Sequence, residues 1–343
     1  ALSATLMCLV TGTNWQMGVL LFVIANICLG SSLVIYDSLL VRIAGPNDRD
    51  RVSSKGWAFG YLGGGLLLLL NFVLVAKPDL VGLDKGGAVR VSLLMAGVWW
   101  AAFTIIPVRG LRNVTGTVAP PVAPGEGVVG GSLRQLRETF RDLALHYPQT
   151  KLFLLAYLFF NDGIQTVIGN SSLYGIEELE FPQETVLGIF LFVQFVAFFG
   201  ARFFGQVAAR IGACKTVLSS LGVWTGIDTV AFFVPAKSLV LFLALAFFIG
   251  MVLGGSQALS RSLYSQLIPA GKEAEYFSLY QAMERGTSWF GTLIFGLVYQ
   301  ATLSYRAAIL ALIVFFILGG VLLSRVKMRE GIIQAGNEVP RVI

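Results

Sequence analysis

The chain has 343 residues, of which 56% are hydrophobic and only 13% charged, and its formal net charge is +6. Soluble domains carry about 25% charged residues, so this composition excludes them and indicates a protein that crosses a membrane several times. The apolar runs are about 20 residues long, as transmembrane helices require, whereas the strands of a β-barrel alternate over about ten residues. The basic residues lie in predicted loops, so the positive charge does not indicate nucleic-acid binding.

Four of ten predicted spans precede the only long connection, and the first of them is partial. They are the end of a span over residues 1–11 and complete spans over 17–43, 56–75 and 90–108. A short charged loop is predicted at 46–55. Residues 1–109 therefore form a first domain, the N-terminal half.

The long connection, residues 110–150, contains a predicted linker and a predicted helix. Residues 114–131 are rich in Pro, Gly and Val, which is typical of a flexible linker. From 132 to 147, Leu133, Leu136, Phe140 and Leu143 fall on one helical face. An amphipathic helix at the membrane surface is expected, with a solvated connector as the alternative.

Six spans follow and form a C-terminal half, residues 151–324. They are predicted at 151–180, 185–204, 217–234, 239–268, 276–299 and 306–323, before a polar tail at 325–343. If the 46–55 loop is cytoplasmic, the opposite side holds five basic residues and the cytoplasmic side the other 20 of 25. This positive-inside bias predicts a cytoplasmic C-terminus.

Two similar segments indicate an internal repeat. GSSLVIYDSLLVRIAG starts at Gly30, and GGSQALSRSLYSQLIP starts at Gly254, an offset of 224 residues. Parallel repeats of this kind build the two halves of many secondary transporters. The offset predicts that about two helices precede Ala1, in a protein of twelve helices.

Polar residues interrupt the span that begins at residue 151. They are Asn161, Asp162, Gln165, Thr166 and Asn170. A carboxylate near mid-membrane is costly against lipid, so Asp162 is expected to face a solute or proton pathway, and it is the best candidate for a proton carrier. A permanently hydrogen-bonded carboxylate is the alternative. Further candidate pathway residues at membrane depth are Gln194, Asp228, Gln257 and Asn26.

Charged residues also lie within or near span ends, namely Asp37, Arg261, Glu284 and Arg285. Asp37 and Arg261 occupy equivalent repeat positions. Arg261 and Glu284 lie toward the same ends of adjacent spans, so a pair between them is predicted. Such a pair is either a gate that closes the inner side or a static buried contact.

Two glycine patterns follow from the sequence. Gly56, Gly60 and Gly64 are spaced by four, which predicts close helix packing. The second pattern lies in a short predicted turn and comprises Gly205, Arg210, Gly212 and Lys215. It resembles the loop motif of the major facilitator superfamily, with Ala209 where that motif has an acidic residue.

Three segments of the chain are similar to segments of the family of the fungal vacuolar amino-acid effluxer and its bacterial relatives. They are NDGIQTVI, RVSSKGWAFGYLGGG and GGSQALSRSLYSQLIP. The resemblance runs from about residue 26 to 324. The resemblance implies secondary transport, with amino-acid export in the fungal branch. It does not identify the substrate of this chain. The family's Tyr-Asp-Trp-Ala-Asn stretch is absent from this chain.

Together these observations predict an all-α integral membrane protein with a major-facilitator fold of two pseudo-symmetric six-helix halves. The expected function is secondary transport of a small, amino-acid-like solute by alternating access, with export and proton coupling as options. An uncoupled facilitator and a non-transporting membrane receptor are the alternatives. No catalytic constellation, metal ligand set or cofactor is expected, and no nucleic-acid partner. A monomer in a bacterial inner membrane is expected.

Overall fold

A computed structural model describes residues 1–112, 114, 128–286 and 289–343. In this part of the chain the regular elements are helical. Eight helical segments are long and apolar enough to cross a membrane. They are Trp15–Ile43, Arg49–Ala76, Lys85–Gly110, Pro148–Glu178, Gln183–Ile211, Ala213–Phe233, Leu239–Gln266 and Tyr305–Arg325. The predicted all-α membrane architecture is confirmed.

The helices, numbered in chain order, have the following bounds: α1 Leu2–Leu6, α2 Trp15–Ser38, α3 Leu40–Ile43, α4 Arg49–Ala76, α5 Lys85–Gly110, α6 Val128–His146, α7 Pro148–Leu173, α8 Gln183–Ile211, α9 Ala213–Phe233, α10 Leu239–Gln266, α11 Glu273–Arg285, α12 Trp289–Thr302, α13 Tyr305–Ala311, α14 Ile313–Arg325 and α15 Met328–Gln334. The chain forms two compact units, Ala1–Tyr36 with Leu62–Gly116, and Asp37–Tyr61 with Thr117–Ile343.

In the first unit α1 packs on α5. A Cβ atom at Gly97 of α5 would collide with the backbone of Thr5, so glycine is what permits this approach. Most large side chains of α2 are exposed, for example Ile27 at 65% and Phe22 at 58%. In a membrane such side chains contact acyl chains.

In the second unit, glycines allow α8 and α10 to pack closely. A Cβ atom at Gly200 would meet the carbonyl of Met251, and one at Gly254 would meet that of Ala197. Small residues at helix contacts are what membrane helices use in place of a hydrophobic driving force. This approach seats the polar residues that follow Gly254 on α10 deep within the unit, where all of them are buried.

Three helix boundaries differ from the sequence prediction. Helix α4 begins at Arg49, so most of the predicted 46–55 loop is helical. The buried charge of Arg49 is accommodated because it donates to the Ser265 carbonyl and to the side chain of Gln266 on α10. The predicted span 276–299 corresponds to α11 and α12, on either side of residues 287–288. The predicted polar tail contains α15, whose Ile332 is fully buried.

Two predictions about connections can be compared with the structure. The amphipathic helix predicted at 132–147 is confirmed as α6, and Pro148 opens α7 directly after it. The predicted linker at 114–131 lies largely outside the described residues. Between α8 and α9 stands only Gly212, at φ +96°, a backbone conformation that favours glycine. The predicted tight turn in the loop motif is therefore present.

Candidate functional site

A buried ion pair joins the end of α2 to α10. Arg261 Nη1 lies 3.1 Å from Asp37 Oδ1, and both side chains are at most 5% exposed. Arg261 Nε also donates to Ser53 Oγ of α4 at 3.0 Å, and Ser53 donates in turn to the Ala258 carbonyl. The guanidinium carbon lies 5.9 Å from the ring centre of Trp57, within cation–π range. Three helices therefore meet on one arginine.

The same network continues onto α11. Gln281 Nε2 donates to Asp37 Oδ2 at 2.9 Å and to Glu284 Oε2 at 3.2 Å. Arg285 Nε donates to Gln281 Oε1 at 3.3 Å. We refer to Asp37, Ser53, Arg261, Gln281 and Glu284 as the charge cluster. Arg261 thus forms an ion pair with Asp37, and Gln281 joins Asp37 to Glu284; a direct pair of Arg261 with Glu284 stays a prediction.

The charge cluster also reaches the polar part of α7. Tyr157 Oη donates to Glu284 Oε2 at 3.1 Å, and Asn161 Nδ2 donates to the Glu284 carbonyl at 3.4 Å. Gln257 Nε2 of α10 donates to Asn161 Oδ1 at 2.9 Å. The buried Gln257 Oε1 has no partner among the described residues. The predicted pathway residues Asn161 and Gln257 are therefore in contact, and Gln257 Oε1 remains available as an acceptor.

A second group of contacts lies beyond the charge cluster, where α4 begins and α10 ends. Arg49 Nη1 donates to the Ser265 carbonyl at 2.8 Å and to Gln266 Oε1 at 3.1 Å. Gln266 Nε2 donates to the Pro46 carbonyl, and Ser262 Oγ donates to Asp50 Oδ1. We call these contacts the end cluster. They join segments more than 200 residues apart at this end of the second unit, and the bonds made by Arg49 and Asp50 are charge-assisted.

Asp162 lies at the contact of α7 with α12 and is fully buried. Its Oδ2 accepts from the backbone N–H of Gly291 at 2.7 Å, near the N-terminus of α12, where a negative charge is favourable. A Cβ atom at Gly291 would collide with Thr166 Oγ1. In this conformation Asp162 and Thr166 therefore hold a close helix contact, and a pathway role for them stays a prediction.

The other predicted pathway residues are dispersed. Gln165, Asn170 and Gln194 are half-buried, and Asn170 donates to the Thr166 carbonyl of its own helix. Asn26, in the first unit, is exposed and donates to the Phe22 carbonyl.

Asp228 of α9 differs from these residues. It is fully buried, and neither of its carboxylate oxygens has a hydrogen-bond partner within the described ranges. Burying an unpaired ionised carboxylate is far costlier than burying a neutral group. The surroundings of Asp228 therefore favour a bound polar partner over an isolated ionised carboxylate.

The predicted loop motif lies at the end of α8 and the start of α9. Gly205 packs on α4, because a Cβ atom there would lie 2.7 Å from Ser54 Oγ. Arg210 and Lys215 are exposed. Gly205 therefore holds α8 against the helix that also supplies Ser53 and Arg49.

Helix α6 is bound to the beginning of α11. Lys272 Nζ lies 2.6 Å from Asp142 Oδ2, and Glu275 accepts from Gln135 and Thr139 at 2.6 and 3.1 Å. Partial burial raises the pKa of Asp142, but the hydrogen bond and charge of Lys272 outweigh it, so the pKa lies below its usual 3.8. The same hydrogen bond raises the pKa of Lys272 above 10.5. The pair is thus charged across the physiological range.

Ion pairs also join loops that the sequence assigns to the opposite side of the membrane. Arg306 Nε lies 2.7 Å from Glu178 Oε1, and Lys237 Nζ lies 2.9 Å from Glu180 Oε2. The hydrogen bond to Glu180 raises the pKa of Lys237. Glu178 and Glu180 end the predicted span 151–180, Lys237 lies between the spans 217–234 and 239–268, and Arg306 begins the span 306–323. The predicted alternation of the spans places these four residues on one side, in agreement with the contacts.

Sequence reasoning missed Ser53, Gln281 and Tyr157 as members of the network. Ser53 lies in the motif RVSSKGWAFGYLGGG. Tyr157 precedes Asn161 by about one helical turn, so it could have been found by examining the polar residues one turn away from each candidate. Gln281 likewise precedes Glu284 by three residues on α11. In the described residues no group of three His, Cys, Asp or Glu side chains is placed to hold a metal ion.

Comparisons with known proteins agree on a transporter. A family model described as "Vacuole effluxer Atg22 like" matches residues 1–336. An uncharacterized MFS-type transporter of Bacillus subtilis, YxiO, is 25% identical over 98% of this chain and 78% of its own length. Autophagy-related protein 22-2 of Emericella nidulans is 29% identical over 75% of this chain and 48% of its own length. The chain thus spans about half the length of the fungal relatives.

A solved structure shares the fold. It is a bacterial homologue of the iron transporter ferroportin in an outward-facing state, with a TM-score of 0.60 over 91% of this chain and 74% of that chain. Sequence identity is 17%, so the likeness concerns the fold alone. The predicted facilitator fold is confirmed.

Proposed function

Because this chain belongs to the family of Atg22-like vacuole effluxers, we propose that it is a secondary transporter that moves a small solute by alternating access. In this mechanism two bundles rock around a central site, and each end of the pathway closes in turn. The observation that carries the proposal is the buried Asp37–Arg261 pair. It joins equivalent positions of the two repeats in a set of contacts that has to break for this end to open.

The charge cluster and the end cluster together form the closed gate of this mechanism. Their arginines, Arg261 and Arg49, contact Asp37 and the Ser265 carbonyl across the repeats. The positive-inside bias supports a cytoplasmic location for this end. The conformation is then closed to the cytoplasm, and both this end and the C-terminus lie on the cytoplasmic side of a bacterial inner membrane.

The proposed solute is small, polar and amino-acid-like, and efflux is the proposed direction. The names of the relatives support efflux. Amides at the inner edge of the charge cluster, Asn161 and Gln257, offer both donors and acceptors, and Gln257 Oε1 has no partner in the described structure. Amides of this kind bind both the ammonium and the carboxylate of an amino acid without fixing the net charge of the side chain.

Proton coupling is assigned to Asp162 in this proposal. Its carboxylate is fully buried and bound to one backbone N–H of α12. Protonation removes the charge that favours this helix N-terminus, so it loosens the contact of α7 with α12. A proton would in this way be linked to a movement of the helices around the pathway.

The test is transport by the whole protein in proteoliposomes. Counterflow with a panel of labelled amino acids identifies the solute, and gradient-driven uptake measures coupling. Asp162→Asn should abolish gradient-driven uptake and leave counterflow, because exchange needs no proton movement. Asp84→Asn is the matched control, since Asp84 also accepts from a helix N-terminal N–H, that of Gly87, but in an exposed loop. Undiminished uptake by Asp162→Asn refutes the proton role, and absent counterflow of every amino acid refutes the solute class.

A further inference from the structure

Helix α6 presents an exposed apolar stripe to its surroundings. Leu133, Leu136 and Phe140 are 62%, 39% and 43% exposed. Their spacing of i, i+3 and i+7 places them along one side of the helix. Leu143, which the sequence places on the same face, is 5% exposed and turned to the protein. The stripe is thus the exposed part of the apolar face in the described structure.

A basic stripe runs beside the apolar one. Arg134, Arg137 and Arg141 have the same i, i+3, i+7 spacing, moved by one residue, so they lie about 100° around the helix. All three are exposed. Of the acidic residues of α6, Asp142 faces Lys272 on α11, and Glu138 lies 3.8 Å from Arg134 in an exposed pair, which contributes little. The outward side of α6 is therefore apolar and net positive.

The position of α6 decides what this surface meets. The helix ends at His146, and the membrane-spanning segment of α7 begins at Pro148. Only Tyr147 separates them, so the end of α6 lies at the membrane surface. An apolar stripe flanked by arginines at that depth matches the boundary between headgroups and acyl chains.

The inner side of α6 connects this surface to the gate. Asp142 and Thr139 bind Lys272 and Glu275, at the start of α11. The far end of the same helix, which is 13 residues long, carries Gln281 and Glu284 of the charge cluster. A displacement of α6 is therefore transmitted by one rigid helix to the partners of Asp37.

We propose that the outward side of α6 is a docking surface for anionic phospholipid headgroups. The three arginines bind phosphate oxygens, and Leu133, Leu136 and Phe140 insert among the upper acyl segments. Docking holds α11 in the position that completes the charge cluster, and this second step rests on the proposed transport function. Each arginine near an anionic surface stabilises the docked state by about 1 kcal/mol, which raises the equilibrium constant for docking about fivefold.

Spin-label accessibility in bilayers tests the docking step without measuring transport. The whole protein, with Cys8, Cys28 and Cys214 replaced by Ser, carries a nitroxide at Phe140→Cys or, as the matched control, at Glu138→Cys. In phosphatidylglycerol-containing bilayers the label at 140 should become accessible to oxygen and protected from a water-soluble nickel chelate, and the label at 138 should stay accessible to the chelate.

The charge requirement is tested with Arg134→Gln, Arg137→Gln and Arg141→Gln combined. This variant should lose the protection of the label at 140 in anionic bilayers, and wild type should lose it in phosphatidylcholine alone. Equal protection in both lipids, or protection that depends on protein concentration and so reports a second copy, would overturn the proposal.

The transmitted step has its own readout. Counterflow by wild type should fall several-fold when phosphatidylglycerol is replaced by phosphatidylcholine, and the triple variant should be equally slow in both lipids. Docking without any lipid dependence of counterflow overturns the link to α11. Counterflow that is absent in every lipid while docking persists refutes the transport proposal and leaves the lipid surface standing.

Discussion

Removal of Arg261 should open the end of the molecule that the charge cluster closes. Asp37 is 3% exposed; in Arg261→Gln it loses its cationic partner and keeps the hydrogen bond from Gln281. Removing one partner of a buried pair costs about 3–5 kcal/mol. Two conformations of a transporter differ by a few kcal/mol, so a loss confined to the closed state is large enough to invert their populations.

The magnitude sets what the assay has to resolve. At about 1.4 kcal/mol per factor of ten, the loss corresponds to a shift of roughly 150-fold to 4,000-fold toward the open state. Ser260, fully buried beside Arg261, is replaced by Cys in a background without the native cysteines, and its reaction with a soluble maleimide is timed. The rate should rise in Arg261→Gln and in Asp37→Asn, and return toward the wild-type rate in the double variant, which buries no unpaired charge.

Two controls separate opening from unfolding. Asp48→Asn removes the ion pair with Arg51, in which the Arg51 side chain is 67% and the Asp48 side chain 54% exposed. The labelling rate should be unchanged, because exposed pairs contribute about 0–1 kcal/mol. A cysteine at Val234, 1% exposed near the opposite end, should react no faster in Arg261→Gln. Equal acceleration at 234 and 260, or additive effects in the double variant, would refute a gate and leave a static contact.

Three further predictions concern stability and docking. The pKa of Asp142 lies below 3.8 and that of Lys272 above 10.5, so their contribution to docking of α6 is complete between pH 3.8 and 10.5. On the acid side it is lost as the pH falls through the lowered pKa of Asp142. Distances between labels on α6 and α11 should therefore be constant at neutral pH and lengthen below about pH 4, and Asp142→Asn should remove that acid step. Gly254→Ala should destabilise the protein by about 1–3 kcal/mol through overpacking, whereas Gly226→Ala, with open space at its Cβ position, should not lower the melting temperature in detergent. Asp228→Asn should raise the melting temperature, because it removes an ionisable group without a described partner; a lower value would indicate a bound polar partner.

The sequence predicts well what depends on local pattern. The apolar runs predict most of the spans, and the i, i+3 and i+7 spacing predicts α6. Gly212 predicts the turn that separates α8 from α9 by a single residue. Each of these features depends on hydrophobic periodicity or on a backbone angle, and each involves residues close together in the chain.

Features that depend on tertiary contact were not predictable in the same way. Gly60, expected at a close helix contact, has nothing within 4 Å of its Cβ position, while Gly200 and Gly254 are held against carbonyl groups. Glycine spacing shows that a close helix contact is possible, but it does not show which helix forms that contact. Similarly, the sequence places Arg49 in a loop, because nothing in the local pattern indicates that the Ser265 carbonyl and the Gln266 side chain of α10 accept its hydrogen bonds.

The pairing of Asp37 with Arg261 could have been predicted from the repeat itself. Their separation is 224 residues, which equals the offset between the repeated segments. When two repeats are related by a pseudo-two-fold axis, a position close to that axis contacts its own equivalent, as at the centre of a symmetric dimer interface. Glu284 has no such relation to Arg261. Opposite charges at equivalent positions in two repeats therefore predict an ion pair near the axis, and that is where a mechanism based on rocking of the two halves needs a contact that forms and breaks.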